Sequence, residues 1–272
     1  MLRTAAVLDD RRLGKQRVET LQILRALHVE DYGWASHPAV TMWRGHTTAL
    51  VTYGTVVVAE WVARGHRDGT RDQIVEFVHP RTPPSWTTLA RTRDLLPPWW
   101  GREDLHRSHR SALLRKDPEH YGRRLPATPD DLDYVWPEPP AEVPPRGERV
   151  AWVVRSEVDD DTITLPLRPG ELLRLEGATR PGRPAKRHRQ VVRFAEELAE
   201  GDTVVVPAGG ELHVGRLTSR VHADPDALRR GVDWIGAIAR TALDRPAQLQ
   251  DPQAVFTLRD EPTVTHLARG GQ

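Results

Sequence analysis

Pro137-Glu-Pro-Pro-Ala-Glu-Val-Pro-Pro-Arg146 divides the chain into two parts of different texture. Five prolines in ten residues can continue neither a helix nor a central strand, so the stretch reads as a stiff extended linker. The part before it has helical period. From Asp9 to Leu27, Leu13, Val18, Leu21, Leu24 and Leu27 recur at helical spacing with charges on the other face. Asp9 or Asp10 can cap that helix. A second long helix is expected from Ala39 to Arg64, stopped by Gly65, and a third from Glu103 to Lys116, broken at Asp117-Pro118. Residues 79–100, rich in proline and tryptophan, read as an ordered irregular loop.

The part after the linker has strand period. Val150–Val154 is a buried-strand pattern, Thr162–Leu167 alternates, and Arg187–Ala199 is an amphipathic helix. Thr203–Pro207 and Leu212–Leu217 flank Gly209-Gly210, the composition of a tight hairpin turn, and Ala254–Leu258 is a last short strand. The expected fold class is therefore α+β. A mostly α-helical N-terminal domain spans 1–136, a proline-rich linker 137–147, a small β-barrel domain with one or two helices 148–260, and a flexible tail 261–272.

The chain has 272 residues, 38% hydrophobic and 28% charged, which is the balance of a folded soluble protein. No run of about 18 apolar residues occurs, so no membrane span is expected, and the first residues lack the apolar core of a signal peptide. There is no cysteine, which excludes disulfides, thiolate zinc sites and a cysteine nucleophile and fits a cytoplasmic protein. No cofactor and no metal is expected. His106 and His109 stand at i, i+3, but no third ligand accompanies them. A monomer is expected.

The net charge of +1 conceals two basic stretches. Arg180, Arg183, Lys186, Arg187, Arg189 and Arg193 run without an intervening acid. Arg102, Arg107, Arg110, Arg115, Lys116, Arg123 and Arg124 form a second group among four acids. Arginine predominates over lysine, as suits bidentate phosphate contacts. Nucleic acid is one reading of this pattern, and a solvated face is the other. On the first helix, Arg12, Lys15 and Glu19 share a face at i, i+3 and i+7. By spacing alone this is an exposed face with a Lys15–Glu19 pair.

Arg11-Arg-Leu-Gly-Lys-Gln-Arg-Val-Glu19, followed by Leu21-Gln-Ile-Leu-Arg-Ala-Leu27, resembles the catalytic helix of the pyrimidine-dimer DNA glycosylases of the phage endonuclease V type. Pro38 with Gly45-His46, Leu105–Leu113, and Asp117-Pro-Glu-His-Tyr121 continue the resemblance in order, across roughly residues 5–136. It implies a compact helical enzyme that cuts the glycosidic bond, with Glu19 as the essential carboxylate. An amine would attack the anomeric carbon to form a Schiff base, which also permits strand cleavage at the abasic site. The family's amine is its own amino terminus, several residues further upstream of the glutamate than Met1 stands here. Four readings stay open: the start lies further upstream, Met1 serves, Lys15 serves, or no amine does and the enzyme only hydrolyses. The family also has arginines where this chain has Val18 and Gln22. The implied DNA contacts are Arg11, Arg12, Arg17, His46, Arg107, Arg110, Arg115 and Lys116. For His46 a buried hydrogen-bonding role is the alternative, and for Trp99 and Trp100 core packing competes with base stacking.

Glu148–Arg155, Phe194–Leu198, Gly201–Pro207, Val214–Leu217, Arg229–Trp234 and Ala254–Leu258 resemble the EVE/PUA-like domains that read modified bases. Trp152 and Trp234 match their tryptophans, with core packing as the alternative, and residues 162–182 depart from the pattern. The two resemblances together imply a glycosylase for a modified pyrimidine such as 5-hydroxymethylcytosine, acting on double-stranded DNA by base flipping. Two alternatives stand beside it: a glycosylase for pyrimidine dimers in ultraviolet repair, and a non-catalytic binder of modified DNA.

Overall fold

The structure is a computed structural model that describes residues 1–29, 32–125, 127–139, 147–176 and 185–270. The chain forms two compact units, Met1–Pro144 and Pro145–Gln272. The class is α+β, with helices in the first unit and a mixed sheet in the second.

The first unit contains α1 (Leu2–Val7), α2 (Asp10–His28), α3 (Pro38–Thr41), α4 (Thr47–Ala63), α5 (Arg71–Val75), α6 (Trp86–Arg91), α7 (Glu103–Lys116) and α8 (Pro118–Gly122). The carboxylate of Asp9 caps α2 by accepting from the Arg12 amide at 3.1 Å. The same carboxylate accepts from the Tyr121 hydroxyl, and Arg12 reaches Asp117 and the Lys116 carbonyl. The start of α2 is thus tied to the α7–α8 junction.

Helix α4 is apolar nearly all round and buries Leu50, Val51, Gly54, Val57 and Val58, so it is the central helix. Helices α2 and α4 meet where side chains are small. A Cβ on Gly54 would lie 2.8 Å from Thr20 Cγ2, and one on Gly14 would lie 3.0 Å from the Trp61 ring. The expected helix from Ala39 to Arg64 is split. Gly45 adopts φ +78°, and hydrogen bonds from Trp43 to Val40 and from Arg44 to Thr41 close a turn between α3 and α4. The expected loop at 79–100 contains α6, capped by Ser85 Oγ at the Thr88 amide, 3.2 Å.

After α8 the chain returns along α7. Ser108 Oγ accepts from the Val135 amide and Ser111 Oγ from the Leu132 amide, each at 3.0 Å. Arg115 donates to the Asp130 and Leu132 carbonyls at 2.7 and 2.9 Å. Two buried serines one turn apart therefore give an irregular segment the partners a sheet would otherwise provide.

The second unit contains β1 (Arg149–Val154), β2 (Thr162–Pro166), α9 (Glu171–Glu176), α10 (Lys186–Val192), β3 (Thr203–Ala208), β4 (Glu211–Leu217), β5 (His222–Ala223), β6 (Ala227–Ala239), β7 (Val255–Arg259) and α11 (Pro262–Ala268). The strand order is β2-β6-β4-β3-β1-β7, with β5 on β6. Strands β1 and β3 are parallel; the other pairs are antiparallel. The path is open in the described residues, since its end strands β2 and β7 do not pair with each other; the sheet is not closed, which leaves the expected barrel unconfirmed.

Gly209 and Gly210, at φ +58° and +90°, make the two-residue β3–β4 turn that left-handed backbone favours. Strand β1 is buried on both faces. Trp152 and Val154 enter the core shared with α10, while Ala151 and Val153 enter the core shared with α11. One turn of π-helix, Arg193–Glu197, continues α10, and the buried Arg230 of β6 donates to its Phe194 and Ala195 carbonyls.

The tail expected to be flexible is ordered over 262–268. Helix α11 sends Val264 into the core, and Glu261, fully buried, accepts from the Asp244 and Arg245 amides. The segment thus supplies one apolar anchor, Val264, and one buried carboxylate, Glu261, that holds the backbone at Asp244 and Arg245. Of the expected linker, residues 140–146 lie outside the described residues, as do Arg180 and Arg183.

In an exposed helix Gly→Ala gains about 1 kcal/mol from backbone entropy. At Gly54 the contact with Thr20 opposes that gain. Gly54→Ala is expected to destabilise the chain by about 1–3 kcal/mol, read as a lower urea midpoint at unchanged slope; a raised midpoint would show that α2 and α4 have room to part.

Candidate active site

The helical unit places Glu19 at the rim of its core. Glu19 directly precedes Thr20, whose methyl faces Gly54 of α4. Its side chain is 26% exposed, and Lys15, 70% exposed, pairs with it at 3.3 Å. Behind it, burial and then the negative charge of Glu19 push the Tyr53 phenol above the usual tyrosine range. Tyr53 stacks on Trp43 at 6.0 Å, Trp43 meets Trp99 edge-on at 4.8 Å, and Trp99 Nε1 donates to the Met42 carbonyl at 2.7 Å. Glu19 is thus partly exposed, with its charge felt at Tyr53. The charge of a half-buried carboxylate is screened less than that of a surface one and can stabilise a cation forming beside it.

Met1 belongs to the same core at 7% exposure, and burial pushes its amine below the usual range. That amine lies near enough to α7 for its charge to act on His106. Burial, then Arg110, push the His106 imidazole down, while burial and then His106 push down His109. His106 meets Trp100 edge-on at 6.3 Å. Trp99 is a core residue, and Trp100 is half-buried. Burial also lowers His46, which begins α4 rather than standing in mid-helix. Among the described residues no three His, Asp or Glu side chains gather as a metal ion would require.

The basic residues divide by what their heads contact. Arg12 is bound to Asp9 and Asp117. Arg17 pairs with Asp68 at 2.6 Å and lies over the Trp61 ring at 5.2 Å. Arg110 pairs with Glu103, Lys116 reaches the Tyr134 hydroxyl at 3.3 Å, and Arg115 holds the returning segment. Arg11 and Arg107 are exposed. In the second unit, Trp152 is 3% exposed, donates to Asp202 at 2.9 Å and carries Arg149 over its ring at 4.6 Å, so it packs in the core. Trp234 is half-buried, with Nε1 donating to the Asp159 carbonyl at 2.8 Å. Arg187 pairs with the buried Glu171 at 3.2 Å.

Tyr53 and Trp43 were not identified from the sequence. Their signal was faint: two aromatic rings at either side of Gly45, in a stretch that otherwise reads as plain apolar helix.

Arg17 and Asp68 yield a pH prediction. Burial would raise the Asp68 carboxyl, but the hydrogen bonds from Arg17, Arg71 and Thr70 outweigh it, and the net value lies below the ordinary one. A carboxyl lowered in the folded state adds stability above its unfolded pKa of about 3.9, and that contribution is lost as pH falls through the lower folded value. Asp68→Asn is expected to cost about 1–3 kcal/mol at pH 7. The gap in urea midpoint from the unsubstituted chain should narrow below about pH 4; a gap constant from pH 7 to pH 2 would remove Asp68 from the acid response.

No curated protein and no solved structure matches the chain. Residues 2–74, which hold Glu19, Trp43 and Tyr53, match the family model described as pyrimidine dimer DNA glycosylase, and this match points to a DNA glycosylase with DNA as its partner.

Proposed function

We propose that the chain excises a modified or damaged pyrimidine from double-stranded DNA. The observation that carries this reading is the placement of Glu19, inside the matched residues 2–74, partly exposed and near enough to Tyr53 for its charge to act there. As the bond from C1′ to the base nitrogen breaks, its electron pair leaves with the base and positive charge grows on the sugar. Glu19 stabilises that charge at a rim where water screens it only in part. A base must leave the stack to bring its sugar to such a rim. Arg11 and Arg107, both exposed, are the proposed phosphate contacts.

Strand cleavage at the abasic site is part of the proposal where a neutral amine displaces the base at C1′ and loses a proton, after which the C1′–O4′ bond opens, O4′ takes up a proton and an iminium is left at C1′. Met1 is supported by its amine, which burial lowers; Lys15 is exposed and ion-paired, which favours it less. Modified pyrimidines such as 5-hydroxymethylcytosine are the proposed substrates. The second unit, residues 148–260, is proposed as their reader, with Trp234 as the ring that retains a partly open face. The description of the matched family favours a second reading, excision at pyrimidine dimers.

The test is base release from duplexes that each carry one altered pyrimidine, dimers included, with borohydride present to trap an iminium. Glu19→Gln is expected to slow release about 100- to 1,000-fold while leaving duplex binding unchanged. Which duplex reacts names the substrate, and mapping a trapped adduct separates Met1 from Lys15. Binding without release from any duplex would leave a non-catalytic reader of altered DNA.

A further inference from the structure

Trp34 stands outside everything the Glu19 site uses. It is large, apolar and 46% exposed, and its backbone has φ +82°, a left-handed conformation that a bulky side chain rarely adopts. The ring is braced from behind. The Trp34 carbonyl accepts from the His37 amide at 2.8 Å, and the ring stacks on His37 at 5.2 Å and 27°. His37 in turn accepts from the Ala39 amide at 3.1 Å and meets Trp136 edge-on at 6.0 Å. Trp136 stacks on Tyr134 at 5.4 Å, and both contact His109, at 5.1 and 5.0 Å. Tyr134 is itself 42% exposed. The result is a run of five rings from α7 to the loop before α3, with Trp34 at its outer end and no aliphatic side chain in the run.

We propose that Trp34 is a stacking platform for an unpaired base of DNA, such as the one left without its partner when the target is flipped out. A surface made of ring faces, not of aliphatic area, suits a flat π system better than a protein side-chain patch. Each exposed ring of the run has a cation beside it: Lys116 at the Tyr134 hydroxyl, 3.3 Å, and Arg44, which donates to the Ala35 carbonyl beside Trp34 at 3.4 Å. A phosphate flanking a base stacked on Trp34 would meet Arg44. A ring held on the far side of a rigid stack does not retreat when pressed into a gap, as a wedge or platform must not.

This inference rests on the DNA reading but not on base release, and its test needs no reaction. The full chain is titrated with two duplexes of one sequence, one fully paired and one with a single unpaired adenine. The unsubstituted chain is expected to prefer the unpaired base about tenfold. Trp34→Gly, which keeps the left-handed backbone without the ring, should lower that preference to about one, with affinity for the paired duplex unchanged. Trp34→Phe should keep most of it. Equal preference in the glycine variant and the unsubstituted chain, or no preference in either, would overturn the platform whether or not bases are released. Should the glycine variant fail to fold, loss of preference in Trp34→Leu with its retention in Trp34→Phe decides the same point.

Discussion

The close approach of α2 and α4 is the constraint on which the helical unit depends. Gly14 lies beside Trp61 and Thr20 beside Gly54, so two long helices meet almost backbone to side chain. That seam fixes how far α2 can slide or turn. Because Glu19 lies on its edge, the seam also fixes how deep the carboxylate sits and how near it comes to Tyr53. A carboxylate a turn further out would be an ordinary surface charge; a turn further in, it would lose its charge to burial.

Around that seam, charged side chains act as fasteners more than as a binding surface. Arg64 donates to the Ala5, Ala6 and Leu8 carbonyls and holds α1 against the end of α4. Arg12 and Arg17 similarly join α2 to α8 and to the α4–α5 loop. The basic count of this chain therefore overstates the positive charge offered to a partner. What faces outward in a distinctive way is aromatic instead: Trp34 and Tyr134 at the ends of one connected run of rings.

Much of this fold was legible because local rules and tertiary packing agree. Asp9, the apolar spacing to Leu27 and the Gly209-Gly210 turn each specify a local geometry, and α2 and the β3–β4 hairpin form there. The misreadings arose where a residue's meaning depends on distant partners. Gly45 breaks a run that hydropathy alone joins. Strand β6 was disguised by Arg229 and Arg230, since a buried arginine makes sense only once the π-turn carbonyls it serves are in place. The tail was read as loose because Val264 looks isolated until β1 and β4 surround it. In the site, Glu19 was visible as a charge on a helix face, while Tyr53, from a different helix, was not.

The position of β7 has a consequence for how the chain comes to be folded. Strand β1 lies inside the sheet, held by β3 on one side and β7 on the other, and β7 spans Val255–Arg259 near the end of the chain. No arrangement of the earlier strands can cover both edges of β1. The helical unit, Met1–Pro144, precedes all of these strands in the chain. During synthesis the helical unit emerges first, while β1 waits with one edge bare until β7 has left the ribosome.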